Sequence, residues 1–384
     1  MGIEVGEALR WVGFAVGTLA AVATWGSVIR TLVLPRGSSR LTVLVGRSLT
    51  RGLFLSLSRR ADDYETKDRI LARSGPLALL LILFAWMALF VLAYGLMLWP
   101  LVGGRSFGQA LLESGSSLLS LGFAGTHTFG ATIVHFAAAA TGLIVIALEI
   151  AFLPVLYSAF NRREVLVTLL QSRAGSPAWG PELLARHQVV GIVDNLGSFY
   201  SEWEQWAADI AESHSNYTVL LWFRSPHPLR SWIVGLLAVL DSAALYQALC
   251  PSTAPSETRL CLRMGFTCLR DIASAIRLPF DPDPFPDDPI QLTYEEYLTG
   301  IERLRDIGFP MERTPEEAWP HFKGWRVNYE AVAYALADST NAAPGPWSGP
   351  RTHLAGVTIV PQRPANRRPE DPDDQGRVKG HSGY

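Results

Sequence analysis

The chain has 384 residues, a formal net charge of −2, and only 18% charged residues against 49% hydrophobic ones. That balance excludes a disordered chain and a basic nucleic-acid binder, and three cysteines exclude a disulfide scaffold. Most of the apolar excess precedes Asn161 and the acidic residues crowd behind it, so one soluble globule is excluded as well.

Three uncharged runs come first along the chain. WVGFAVGTLAAVATWGSVI lies between Arg10 and Arg30, and a longer run lies between Arg73 and Arg105. A third, between Glu113 and Glu149, holds only His127 and His135 as titratable groups. A bilayer core about 30 Å thick needs about 20 apolar helical residues. The first two runs meet that length. The third begins with the Gly-, Ser- and Thr-rich SGSSLLSLGFAGTHTFG, so its span starts near Ala131 and ends near Ala159. The first run is read as a span rather than a signal peptide, because Glu4 and Glu7 precede it and its basic residues follow it.

The link between the first two spans carries Arg30, Arg36, Arg40, Arg47, Arg51, Arg59, Arg60, Lys67, Arg69 and Arg73, whereas the second link carries only Arg105. Arg162, Arg163 and Arg173 follow the third span. Positive residues stay on the cytoplasmic side, so the expected N-terminus is outside and the C-terminal domain is cytoplasmic. Arg40, Arg47 and Arg51 fall on one helical stripe of an otherwise apolar stretch, the pattern of a helix lying in the headgroup layer of the lipid. That helix reads either as a plain surface anchor or as a cuff around a pore.

The segment from Arg105 to Thr128 is too apolar for a free loop and too short for two crossings. A short helix from Phe107 to Ser117, then an extended stretch, fits its length. Irregular backbone at membrane depth survives only when buried in protein or lining a water path. The C-terminal end of such a helix favours a cation. The residues Ser120, Leu121, Gly122, Phe123 and Ala124 then offer successive carbonyls to an ion.

Span, short helix, S-L-G-F-A, span resembles the pore module of potassium channels, whose filter reads T-V-G-Y-G before an acidic residue. LPVLYSAFNRREVLVTLLQSRAGSP and WEQWAADIAESHSNYTVLLWFRSPHPLRSW are similar to bacterial potassium-channel-like membrane proteins with a helical cytoplasmic domain. The resemblance covers roughly residues 10 to 280 and implies a bacterial cell membrane, a permeant potassium ion and no other cofactor or metal. Ser120 takes the threonine place, Leu121 the valine place and Gly122 the first glycine, where a left-handed backbone is needed. Phe123 replaces tyrosine, Ala124 the second glycine and Gly125 the acid. Alanine at positive φ costs about 1 kcal/mol, so a strained or wider outer filter is expected at Ala124. One filter strand cannot surround an ion, so a homotetramer is expected. The single copy of the module speaks against a fourfold-repeat potassium transporter.

Glu149 sits deep in the third span, where a carboxylate facing lipid costs several kcal/mol. It reads either as a cavity charge that concentrates cations or as a helix-end acid that snorkels toward the cytoplasm or pairs with Arg162 or Arg163 of a neighbour. Pro154 removes a helix hydrogen bond, so a bend and a gate are expected there. Gly142 is a second hinge candidate, with close helix packing as the plain alternative.

Beyond Asn161 the pattern is amphipathic and helical. RSWIVGLLAVLDSAALYQAL imitates a span, but Asp241 in its middle points to a buried core helix. Thr293 with Glu296 and Thr314 with Glu317 read as capping boxes. Cys250, Cys261 and Cys268 lack metal spacing and read as reduced thiols. No dinucleotide fingerprint, phosphate loop, H-E-x-x-H or G-x-S-x-G occurs, so neither an enzyme nor a small-molecule substrate is read.

The expected fold is therefore an all-α membrane protein with three transmembrane helices, a re-entrant pore helix and filter loop, and a soluble helical C-terminal domain. Its expected parts are a first span at 1–34, a basic link at 35–75, a pore module at 76–160 with its loop at 105–128, a helical domain at 161–340 and a disordered tail at 341–384. The expected function is a cation channel. The alternative is a non-conducting channel-like membrane protein whose helical domain senses or docks.

Overall fold

The computed structural model describes residues 2–34, 44, 48, 52, 54–58, 64–102, 106–125, 128–350, 367–368 and 371–372. Apart from a two-residue antiparallel pair, Arg367–Arg368 with Asp371–Pro372, the regular structure of these residues is helical. The chain divides into two compact units, residues 1–49 with 74–158 and residues 50–73 with 159–384. Arg36, Arg40, Arg47, Arg51, Arg59, Arg60, Arg105 and His127 lie outside the described residues, as does most of the expected headgroup helix.

The first unit holds α1 (Gly2–Leu32) and α3 (Ser74–Leu98), with α2 (Tyr64–Ala72) assigned to the second. It also holds α4 (Phe107–Leu118) and the first part of α5 (Phe129–Ala174). Gly17 lets α1 approach α3 closely, since a Cβ there would stand 2.5 Å from the Ala93 carbonyl oxygen. Trp86 Nε1 donates to Ser27 Oγ at 3.1 Å, and Trp25 meets Phe90 edge to face. Trp86, Phe90, Tyr94, Leu98, Leu118 and Ala138 form the interior. Leu19, Phe84, Phe136 and Leu143 instead point outward and are exposed. Water would penalise so much exposed apolar surface, whereas hydrocarbon does not.

Among the described residues, four helical stretches are long and apolar enough to cross a membrane: 6–32, 64–98, Phe129–Ala174 and Trp232–Leu249. The last, α8, differs from the others because every one of its residues is buried inside the second unit. There it packs among α6 (Gly180–Val190), α7 (Leu196–Asn216), α9 (Glu257–Ala275), α11 (Pro315–Arg326) and α12 (Glu330–Ser339). Asp241 in the middle of α8 accepts from Arg326 Nη1 and, at 2.9 Å, from Tyr329 Oη. A charge so engaged belongs to a protein core, and the apolar length of α8 reflects enclosure by other helices.

Both capping boxes form, Thr293 with Glu296 at α10 (Tyr294–Asp306) and Thr314 with Glu317 at α11. Two boundaries differ from the sequence reading. The link at 35–75 is not one separate segment. Its end joins the second unit, where Arg224 donates to Asp68 Oδ1 at 2.5 Å and to Tyr64 Oη at 2.8 Å. The disordered tail does not begin at 341. Ala342, Ala343 and Trp347 are buried, and Trp347 Nε1 donates to the Glu296 carbonyl at 3.0 Å. An apolar indole outweighs the Gly- and Pro-rich composition around it, because burying an aromatic side chain is worth roughly 2–3 kcal/mol.

Cys250, Cys261 and Cys268 are free and buried, and burial pushes the Cys250 thiol up to about 11. His214 is fully buried against Arg163, with 3.1 Å between His214 Nε2 and Arg163 Nη1. Burial, then repulsion by that guanidinium, holds the His214 imidazole well below the ordinary histidine range. Because its folded pKa is depressed, the unfolded chain takes up this proton below about pH 6.5 and the folded chain does not. The contribution of neutral His214 is therefore present above that pH and is lost as pH falls. His214→Gln should be destabilising near neutrality, and its deficit in thermal unfolding temperature against the parent should shrink between about pH 7.5 and about pH 5.5. An equal deficit at both values would mean that His214 titrates normally in the fold.

Candidate functional site

The short helix expected from Phe107 to Ser117 is present as α4, one residue longer. Ser106 caps it, accepting from Gln109 N at 3.3 Å. Gly95 gives α4 its bed on α3, since a Cβ there would meet Leu111 Cδ2 at 2.7 Å. Ser114 Oγ donates to the Val91 carbonyl of α3 at 2.9 Å. At the other end the Leu118 carbonyl rests on Gly142 of α5, where a Cβ would stand 1.8 Å from the carbonyl oxygen. Gly142 therefore acts first as the seat of α4. The α5 helix runs unbroken through both Gly142 and Pro154.

The loop after α4 is organised by its amides. Ser120 N donates to the Ser117 carbonyl at 2.9 Å and Leu121 N to the Ser116 carbonyl at 2.8 Å. With Ser120 left-handed at φ 54°, this is a Schellman end. Gly122 is left-handed as well, at φ 71°. Ser116 Oγ then accepts from Phe123 N at 3.1 Å and from Ala124 N at 3.2 Å. In a trans peptide the carbonyl points opposite to the next amide. The carbonyls of Leu119, Ser120, Gly122 and Phe123 are thus opposed to the amides bonded to α4. Leu121 and Phe123 show 59% and 64% of their surface.

One expectation is corrected here. Ala124 is not in the left-handed region; Ser120 is the non-glycine residue of this loop that takes it. The Ser116 hydroxyl fixes the Ala124 amide without a positive φ, so the backbone cost of about 1–2 kcal/mol falls on Ser120.

A polar cluster under the loop was not singled out in the sequence. Glu113 is fully buried in α4, 3.4 Å from Nε2 of His135, and His135 Nδ1 lies 2.7 Å from Ser117 Oγ. Glu113 and Ser117 stand four apart on one helix face, which is the signal that could have paired them. Thr141 adds a second polar node, with Tyr94 Oη at 2.7 Å and Trp25 Nε1 at 3.3 Å.

Glu149 is 7% exposed, and its Oε2 has no hydrogen-bond partner among the described residues. The two arginines considered for it are engaged elsewhere. Arg162 pairs with Asp209 at 2.9 Å and Arg163 with Glu164 at 2.8 Å. Among the described residues no three His, Cys, Asp or Glu side chains gather within reach of one metal ion. No family model, curated protein or solved structure matches the chain.

The two glycines make opposite demands, which substitution separates. Nothing lies within 4 Å of a Cβ at Gly122, so Gly122→Ala should cost only the backbone penalty of about 1–2 kcal/mol and leave the protein monodisperse. Gly142→Ala drives a methyl into the Leu118 carbonyl and should lower the unfolding temperature in detergent by several degrees more. Equal losses for the two variants would contradict this seating of α4.

Proposed function

We propose that the chain is one subunit of a homotetrameric cation channel, potassium-conducting, with Ser120, Leu121, Gly122, Phe123 and Ala124 around its axis. The carrying observation is the loop after α4, whose amides are bonded back to α4 so that the opposed carbonyls are left for other partners. Cations are coordinated by such oxygens, and the C-terminal end of α4 adds a favourable dipole. The loop lies between two apolar helices, in the arrangement of the potassium-channel pore module described above. The exposure of Leu121 and Phe123 in the single chain supports burial against other copies.

In this reading Glu149 is a cavity charge that concentrates cations, and α5 around Pro154 forms the inner mouth and gate. The pore sits in a bacterial cell membrane with the N-terminus outside and the second unit in the cytoplasm. Phe123 lacks the tyrosine hydroxyl, so the loop relies on Ser116 for bracing, and selectivity for potassium over sodium is weaker than in the family it resembles. The competing reading is a non-conducting protein with a sensing domain.

Proteoliposomes under a potassium gradient separate the two. The parent protein should pass potassium, and Gly122→Ala should abolish flux at unchanged reconstitution. A parent without cation flux under any gradient favours the non-conducting reading, and a Gly122→Ala protein with unaltered ion preference would sink the loop assignment.

Topology has its own test. The native thiols are buried and make a silent background, whereas Phe285 is 75% exposed. Phe285→Cys should react with an impermeant maleimide only after cells are permeabilised. Labelling of intact cells would reverse the proposed orientation.

A further inference from the structure

The second unit holds a cavity of about 350 Å³ that has no part in the proposed pore. Gln247 at the end of α8, Arg259 and Arg263 on α9, Arg313 just before α11, and His321 and Trp325 on α11 line it. Its walls are tied together by the backbone. Glu312 N and Arg313 N donate to the Leu249 carbonyl at 2.9 and 3.2 Å, and Arg313 Nη1 donates to the Ala248 carbonyl at 3.1 Å. Cys250 Sγ donates to the Pro310 carbonyl at 2.9 Å. The cavity is therefore preformed, and its volume lies at the small end of the roughly 300–1,000 Å³ usual for ligand sites.

Its charge is unbalanced. Elsewhere in this unit Arg162, Arg186, Arg224, Arg303 and Arg326 each meet a carboxylate, and Arg230 and Arg270 meet uncharged acceptors. Arg259, Arg263 and Arg313 form no ion pair among the described residues, yet they line the same cavity. Glu312, beside Arg313 in the chain, commits its carboxylate to Ser252 N at 3.0 Å, Ser252 Oγ at 2.5 Å and Thr253 Oγ1 at 3.1 Å. Gln247 Oε1 lies 2.9 Å from Thr258 Oγ1, whose one proton it shares with the Pro255 carbonyl at 2.6 Å, and the Gln247 amide group also lines the cavity.

We propose that this cavity binds a phosphate-bearing small molecule with a planar ring, of mononucleotide size. Guanidinium groups match phosphate oxygens with paired hydrogen bonds, and three of them around one space favour a doubly charged anion. The Trp325 indole gives a flat apolar partner for the ring, and the Gln247 amide suits an acceptor on the ring edge. No phosphate loop is involved, which is why the sequence motifs do not announce the site.

Isothermal titration of the full-length protein in detergent tests this with three probes: AMP, ribose 5-phosphate and inorganic phosphate. AMP should bind most tightly, roughly tenfold better than ribose 5-phosphate, because stacking of a base on an aromatic ring has that order of effect. Arg259→Ala with Arg263→Ala should weaken all three probes by tenfold or more. Both side chains are exposed, so the unfolding temperature should hold. Trp325→Leu should remove the preference for AMP and leave phosphate binding unchanged. Should that variant fail to fold, the ranking of AMP over ribose 5-phosphate by the parent carries the same test. Absence of AMP binding at millimolar concentration, or binding indifferent to the arginine pair, overturns the proposal. So does AMP binding that emerges only in a chain ended at residue 350, since the occupant would then be the acidic segment at 370–374.

Discussion

A carbonyl oxygen seated on a glycine organises the first unit. The Leu118 oxygen fills the space where a side chain at position 142 would begin, so α4 ends at one fixed place on α5. Everything after that point inherits the position: the left-handed Ser120, the left-handed Gly122, and the Ser116 hydroxyl that holds the next two amides. In the proposed pore, backbone at membrane depth would have no water to bond, and each unpaired group would cost several kcal/mol. The loop meets that constraint from one side only. Its amides are bonded back to α4, and the carbonyl side is left for something outside the chain. In the proposed pore that partner is the permeant ion.

The second unit solves a different problem, which is how to bury charge. Arg326 is fully buried, yet it reaches Asp241 from α8, Glu330 at 2.6 Å, Tyr334 Oη at 2.7 Å and the Trp347 carbonyl at 2.8 Å. Burial pushes the Asp241 carboxyl up to about 6, against the pull of the guanidinium beside it. Such a network is satisfied only as a whole, and removal of one member leaves the others unpaired at a cost of about 3–5 kcal/mol. Because one partner is the Trp347 carbonyl, the network also ties that stretch of chain to the helical domain.

The sequence made the helices of the first unit legible, because uncharged runs of such length have few alternatives. It also gave α4 within one residue, from length and composition alone. The glycines at 122 and 142 were visible as letters, but their demands were not, since one needs a backbone angle and the other an empty space. The same holds at Ala124, whose place in the string does not give its backbone angle. A family pattern ties glycine to positive φ, whereas here the turn falls four residues earlier, at a serine that ends the helix. Glu113 and His135 escaped notice because they are 22 positions apart in the sequence and meet only when α4 lies on α5. The tail boundary failed on composition, which averages over residues, whereas a single Trp347 decides the packing.

Hydropathy could not distinguish α3 from α8, since both are long and apolar. What distinguishes them is the fate of their surfaces. Leu80, Phe84 and Leu92 of α3 are exposed, whereas all of α8 is enclosed. The acids within the apolar helices follow the same division. Asp241 is answered by an arginine and a tyrosine of its own unit, as a core charge must be. Glu149 has an oxygen that no described residue answers. A buried acid is tolerated in a helix of the first kind only if solvent, an ion or another copy supplies the missing contact. The same residue type is thus answered within its own unit at Asp241, whereas at Glu149 one oxygen is answered by no described residue.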